Sequence, residues 1–116
     1  MSSYALGESK GRVLAAWETR ERVYFSTIDP ADLAVSRPIA APGASQKHPV
    51  ILSNPLGQTL FAWTEGTGWQ RGGALAWQVY DRNGTPTARH GRVDGVPVWS
   101  LATAYARPDG SFVLIY

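Results

Sequence analysis

Four side chains with the chemistry of a ligand site lie in two nearby parts of the sequence. The segment 65–71 (EGTGWQR) supplies a carboxylate, an indole and a guanidinium, and His48 supplies an imidazole. Trp69 could stack on a ligand and Arg71 could bind an anion, while Glu65 and His48 carry groups that transfer protons. These residue types predict a site for a polar or anionic ligand.

A structural role for the same residues is the alternative interpretation. Glu65 and Arg71 could form an exposed ion pair, which contributes only ~0–1 kcal/mol to stability. Trp69 could cap the edge of a sheet, and His48 could be a strand residue bonded to the backbone. The spacing of these residues does not choose between the two interpretations.

The composition predicts a single folded domain over residues 1–116. The chain is 44% hydrophobic and 17% charged and contains no cysteine, which excludes disulfides, cysteine-bound zinc and cysteine nucleophiles. No apolar run approaches the roughly 18–20 residues of a membrane helix, and the N-terminus lacks the apolar core of a signal peptide. The basic residues are scattered along the chain at a net charge of +2. We therefore expect neither a membrane nor a nucleic-acid partner.

An internal repeat organises the chain. GRVLAAWE at 11–18 aligns with GQTLFAWTE at 57–65, so that Leu14 matches Leu60 and Trp17 matches Trp63 at a separation of 46. The same separation matches 2–11 with 48–57, whereas 23–29 matches 75–81 at a separation of 52. A partial third copy matches the second at a separation of 53. The units run over about 2–46, 48–100 and 101–116, and such a period is typical of propeller blades.

Short segments rich in Val, Ile, Trp, Tyr and Phe alternate with turn sequences such as Asn83-Gly84 and Asp109-Gly110. This pattern predicts an all-β protein made of four-stranded antiparallel blades, about 2.5 repeats in all. The expected strands are 3–6, 12–19, 22–29, 33–40, 49–53, 58–65, 74–81, 85–91, 98–106 and 111–116. In such blades the loops after the second strand share one end with the starts of the first strands. That end would gather Glu18 and Arg20 with His48 and the segment 65–73.

HPVILSNPLGQTLFAWTE followed by GALAWQVYDRNGTPT resembles a blade of the sialidase-like (neuraminidase-superfamily) bacterial β-propellers. In that family His-Pro opens the inner strand, a Gly turn precedes a strand ending in Trp, and an Asp-x-x-Gly turn joins the outer strands. The resemblance implies a ring of six or more blades and relatives that are generally exported. The family's Ser-x-Asp-x-Gly-x-Thr-Trp and Arg-Ile-Pro motifs and its Tyr–Glu nucleophile pair cannot be placed here. The resemblance therefore does not imply sialidase activity for this chain.

About 2.5 blades fall short of the family's ring, so we expect homo-oligomerisation to complete it. The first functional hypothesis is a non-catalytic, sialidase-like propeller fragment that binds a small polar, carbohydrate-like ligand. Its ligand-binding residues would be Trp69, Arg71, Glu65, His48 and Arg20.

The alternative hypothesis is a small hydrolase of esters, phosphoesters or glycosides, with its site at the oligomer interface. His48 copies would converge near the ring axis, where three imidazoles can bind a divalent metal such as zinc and leave a position for water. His48, Glu65 and Glu18 are the candidate catalytic residues, with either glutamate as general base. Purely structural roles for these residues stay open beside both hypotheses.

Overall fold

The computed structural model describes residues 3–116, and every regular element in that range is a strand. The strands are β1 (Tyr4–Ser9), β2 (Arg12–Thr19), β3 (Arg22–Ile28), β4 (Ile39–Ala40), β5 (Gln46–Ser53), β6 (Thr59–Glu65), β7 (Gly73–Tyr80), β8 (Pro86–Val96), β9 (Thr103–Ala106) and β10 (Phe112–Ile115). The all-β prediction is confirmed. Residues 1 and 2, which include the predicted start of the first repeat unit, lie outside the described range. Between residues 3 and 116 no helix has the length and apolar character to cross a bilayer.

The strands form three antiparallel sheets in chain order. Sheet I has the strand order β1-β2-β3-β4, sheet II has β5-β6-β7-β8, and sheet III pairs β9 with β10. The prediction of four-stranded antiparallel sheets is thereby confirmed. Closure into a propeller and completion by homo-oligomerisation stay predictions.

Five strands have an end that lies three or more residues from its prediction. The first strand ends at Ser9 instead of 6 and the fifth begins at Gln46 instead of 49, and the fourth, eighth and ninth strands differ more. Instead of 33–40, the fourth strand is Ile39–Ala40, with one isolated bridge between Val35 and Ile28. Pro38 has no N–H for a ladder, and the Asp32 carboxylate accepts the Ala34 N–H at 2.9 Å in a local turn. The eighth strand is longer than predicted because its end packs against sheet III. The ninth is shorter because a turn occupies 97–100, where the Ser100 N–H bonds the Pro97 carbonyl.

The register shows how the two four-stranded sheets correspond. Ala5 pairs with Ala16 in sheet I, and Val50 pairs with Ala62 in sheet II. Since Ala16 and Ala62 are matched in the repeat, Val50 corresponds to Ala5, whereas the sequence alignment places Ile51 there. A slip of one residue moves a side chain to the opposite face of a sheet. The alignment of the first strands therefore needs this one-residue correction, while the matches of the second and third strands agree with the pairing.

Each sheet has two faces, because successive side chains of a strand point in opposite directions. We call the face toward the next sheet along the chain the leading face and the other the trailing face. Leu14 and Phe25 on the leading face of sheet I pack with Phe61 and Trp63 on the trailing face of sheet II. The Phe25 ring meets the rings of Phe61 and Tyr80 edge-on, at centroid distances of 4.9 and 5.0 Å. This contact forms the main core.

A second, smaller core joins sheets II and III. Ala62 and Leu75 on the leading face of sheet II pack with Val96, Ala102 and Leu114. Below it, the Asn54 side-chain amide donates to the Gly110 carbonyl at 2.8 Å and ties the β5–β6 turn to the β9–β10 turn. The central sheet is thus covered on both faces.

Phe61→Ala is expected to destabilise the fold by about 3–5 kcal/mol, because it removes a fully buried ring from between two aromatic neighbours. Urea unfolding followed by circular dichroism measures the loss. If the alanine variant fails to fold, Phe61→Leu should fold with a smaller loss of the same sign. The exposed Leu33 is the matched control, and Leu33→Ala should leave the midpoint nearly unchanged. Equal midpoints for Phe61→Ala and Leu33→Ala would contradict this account of the core.

Candidate functional site

The upper end of the sheets carries the residues singled out by their chemistry. We define it as the end formed by the β2–β3 turn (20–21), the β6–β7 loop (66–72), the starts of β1 and β5, and the turn 97–100. Strand direction places these segments together, since β2 and β6 end where β1 and β5 begin. The lower end carries the β1–β2, β5–β6 and β7–β8 turns.

Glu18 and His48 come together at the upper end. Glu18 is buried on the leading face of sheet I, and its Oε2 accepts the Ser3 hydroxyl at 3.0 Å and the backbone N–H of His48 at 3.4 Å. His48 lies in a β-bulge between Lys47 and Val50 with φ of 53°. Glu18 thus contacts the backbone of His48, and this contact fits the structural interpretation of both residues.

Glu65 forms its polar contacts within sheet II. Its Oε1 accepts the indole N–H of Trp63 at 3.0 Å, and its Oε2 accepts the Arg92 Nε–H at 2.9 Å. Ala76 pairs with both Trp63 and Arg92 across the sheet, so Arg92 lies on the same face as Glu65. The hydrogen bond to Glu65 raises the pKa of Arg92, and the neighbouring Asp94 adds to this shift. Glu65 therefore pairs with Arg92 rather than with Arg71, the partner considered from the sequence.

The β6–β7 loop presents Trp69 to solvent. The backbone groups of Gly68 and Arg71 bond each other in both directions at 3.1 Å and close a tight loop around Trp69. Trp69 is 79% exposed and meets Trp99 edge-on, with ring centroids 4.9 Å apart. Trp99 is itself 67% exposed. Trp69 therefore does not cap a sheet but forms an exposed indole pair, with the exposed Arg71 in the same loop.

Arg20 lies at the β2–β3 turn, where Arg20 and Glu21 both have positive φ, 50° and 58°. This conformation matches the right-handed twist of the adjoining strands and leaves the Arg20 side chain exposed. The turn leaves the Arg20 side chain exposed at the upper end, and among residues 3–116 no salt bridge joins it to Glu18 or Glu65.

The metal hypothesis depends on several copies of the chain. Residues 3–116 contain no group of three or more His, Cys, Asp or Glu side chains arranged to hold a metal ion. One chain contributes a single His48 imidazole, whereas the predicted zinc site needs His48 imidazoles from several copies of the chain. Zinc and the hydrolase activity that needs it stay predictions.

Sequence reasoning missed a set of basic residues at the lower end. A cleft of about 490 Å³ between sheets I and II is lined there by Lys10, Arg12, Arg37 and Arg82. These residues lie in or beside the β1–β2, β3–β4 and β7–β8 connections. An up-and-down sheet places those connections at the same end. Assigning each basic residue to the upper or lower end of its predicted strand could therefore have found the cluster.

Comparisons with protein-family models, curated proteins and solved structures find no match. The resemblance to sialidase-like propellers thus stays a prediction drawn from the residues.

Glu65→Ala is expected to destabilise the fold by ~1–3 kcal/mol, since it removes the acceptor of the part-buried Trp63 indole N–H. Glu65→Gln keeps an acceptor oxygen for the indole and should lose less. Thermal unfolding measures both variants. Asp94→Ala is the control, because it removes the other, exposed carboxylate partner of Arg92 and should leave the melting temperature unchanged. A wild-type melting temperature for Glu65→Ala would show that the contact is not structural.

Proposed function

We propose that this chain is a non-catalytic, sialidase-like β-propeller fragment that assembles with further copies of itself and presents a polar-ligand surface. One observation carries the proposal. The two outermost sheet faces expose apolar side chains whose counterparts in the repeat are buried between sheets.

The trailing face of sheet I is apolar and uncovered within residues 3–116. Tyr4 and Leu6 on β1 are 79% and 68% exposed. They stand opposite Trp17 and Ala15 on β2, and Trp17 stacks on Tyr24 at 5.9 Å with an interplanar angle of 20°. An exposed apolar face of this kind on a sheet typically marks a contact surface.

The counterparts of these residues lie in the main core. Trp17 corresponds to Trp63, and Leu6, by the corrected register, corresponds to Ile51. Trp63 and Ile51 are buried against the leading face of sheet I. The trailing face of sheet I therefore carries the same apolar pattern as the trailing face of sheet II, which packs on the leading face of sheet I.

The leading face of sheet III is the matching surface. It carries Tyr105 and Ile115, both exposed, together with Val113, which pairs with Tyr105. Ala62, which matches Ile115 in the repeat, is fully buried in the core that joins sheet II to sheet III. The leading face of sheet III in one copy can thus cover the trailing face of sheet I in the next copy. Inside the chain, sheet I meets sheet II and sheet II meets sheet III in the same order. Such a contact joins two different surfaces, so it builds a ring or an open chain of copies.

The ligand surface of the proposed module is the exposed Trp69–Trp99 pair with Arg71 beside it. Rigid indoles give contact area to the apolar faces of sugars, and a guanidinium binds a carboxylate in a bidentate manner. This arrangement supports a carbohydrate-like ligand that carries an acidic group. The hydrogen bonds of Glu18 and Glu65 to neighbouring groups support structural roles for these carboxylates in the same region.

Two single variants test the assembly. Leu6→Asp places a charge on the trailing face and Ile115→Asp places one on the leading face. Each variant alone should be a monomer of about 12.6 kDa by light scattering coupled to size exclusion, whereas the wild type should be larger. An equimolar mixture of the two variants should form a dimer and stop there, because each variant keeps the face that the other lacks.

Leu56→Asp controls for a charge at an exposed leucine of the β5–β6 turn, outside both faces, and should keep the mass of the wild type. A monomeric wild type overturns the proposed assembly. So does a mixture of the two variants that stays monomeric.

Trp69→Ala is expected to weaken binding of an oligosaccharide ending in a carboxylated sugar by about tenfold, since it removes the stacking surface. Isothermal titration calorimetry measures the affinity. Trp69→Tyr, which keeps an aromatic face, should retain most of it. Arg71→Gln should weaken binding of this probe but not of the same oligosaccharide without its carboxylate. Failure of the wild type to bind the acidic probe would contradict the ligand surface.

A further inference from the structure

The lower end of the molecule holds a cleft whose chemistry differs from that of the indole pair at the upper end. It lies between sheets I and II, on the far side of the main core from the indole pair. Its volume of about 490 Å³ falls in the range of roughly 300–1,000 Å³ usual for small-molecule pockets. It is formed within one chain and does not depend on the proposed assembly.

The floor of the cleft consists largely of buried apolar side chains. Leu14, Phe25 and Tyr80, all nearly fully buried, line it together with Ile39. Burial raises the pKa of the Tyr80 phenol, so this group stays protonated at neutral pH and can act as a hydrogen-bond donor. The floor is thus an apolar surface that includes one neutral phenol.

The rim of the cleft is basic. Lys10, Arg12 and Arg37 come from sheet I and its connections, and Arg82 comes from the β7–β8 turn of sheet II. The Lys10 side chain extends to sheet II, where it lies beside Gly57 in the β5–β6 turn. If Gly57 carried a Cβ atom, that atom would lie 3.0 Å from the Lys10 Nζ and 3.7 Å from the Arg82 Cβ. Cations from two sheets therefore meet above one apolar floor.

These cations have no carboxylate partner in the described part of the chain, where the salt bridges all involve Arg92. One carboxylate, that of Asp81, lines the cleft. Its Oδ1 accepts the backbone N–H groups of Asn83 and Thr85 at 2.8 and 2.9 Å and is held by its own turn. Four unpaired positive charges around one cavity repel each other, and a bound anion would relieve that repulsion.

We propose that this cleft binds a small ligand bearing two or more anionic groups. Guanidinium groups bind phosphate, sulfate and carboxylate oxygens in a bidentate manner, and the two sheets offer arginines from opposite sides. The cleft admits a ligand the size of a small sugar derivative. All ligands of this class carry several negatively charged groups that lie a few ångströms from one another.

The test is isothermal titration calorimetry of the full chain with inorganic pyrophosphate, citrate and a sulfated disaccharide at constant ionic strength. We expect saturable binding of one probe per chain for at least one of the three, and the probe bound tightest identifies the anionic group preferred. Arg12→Gln and Arg82→Gln, on opposite sides of the cleft, should each weaken that binding roughly tenfold or more. The monomeric Leu6→Asp variant should bind like the wild type, which separates this proposal from the proposed assembly.

Arg107→Gln is the matched control, since it removes one exposed positive charge from a turn that does not line the cleft. Its affinity should stay within about twofold of the wild type. The proposal is overturned if none of the three probes saturates. It is equally overturned if Arg107→Gln weakens binding as much as Arg12→Gln, because the attraction would then be non-specific.

Discussion

The contact of Phe25 with Phe61 and Tyr80 positions the rest of the molecule. Edge-on packing of these rings fixes how sheet I lies on sheet II. Above this contact, Trp63 packs against Phe61 and presents its indole N–H to Glu65. Below it, Phe25 and Tyr80 become the floor of the basic cleft. The aromatic cluster therefore lies between the contact of Trp63 with Glu65 at the upper end and the basic cleft at the lower end.

The β-bulge at His48 is the second constraint, and it changes the meaning of that histidine. A bulge adds one residue to a strand and changes which face the following side chains occupy. Here it follows Gln46, a fully buried side chain that accepts the Val23 N–H at 3.0 Å and donates to the Pro42 carbonyl. With Glu18 bonded to the His48 backbone, the start of β5 is fixed by polar contacts to sheet I. The role of Gln46 cannot be predicted from the sequence, because a single glutamine forms no pattern.

Much of the architecture could be predicted because its causes are local. Alternating apolar residues and turn sequences placed ten strands close to their observed positions, and the repeat matched the central strands correctly. Two of the errors also have local causes. Pro38 and the Asp32 turn shortened the fourth strand, and the turn at 97–100 delayed the ninth. The site was less predictable: Trp69 and Arg71 do share an exposed loop, but Trp69 pairs with Trp99, and Glu65 pairs with Arg92.

The sequence by itself determined the strands, their turns and the separation of the repeated units, since these follow from periodicity and from Gly, Pro and Asp at turns. Tertiary structure decided which faces are covered, which carboxylate meets which arginine, and that charges scattered along the chain meet in one cleft. Such contacts join residues far apart in the chain, and a single extra residue in a turn or bulge shifts them. The register of Val50 with Ala62 shows the size of this effect, because one residue separates a side chain that faces sheet III from one that faces sheet I.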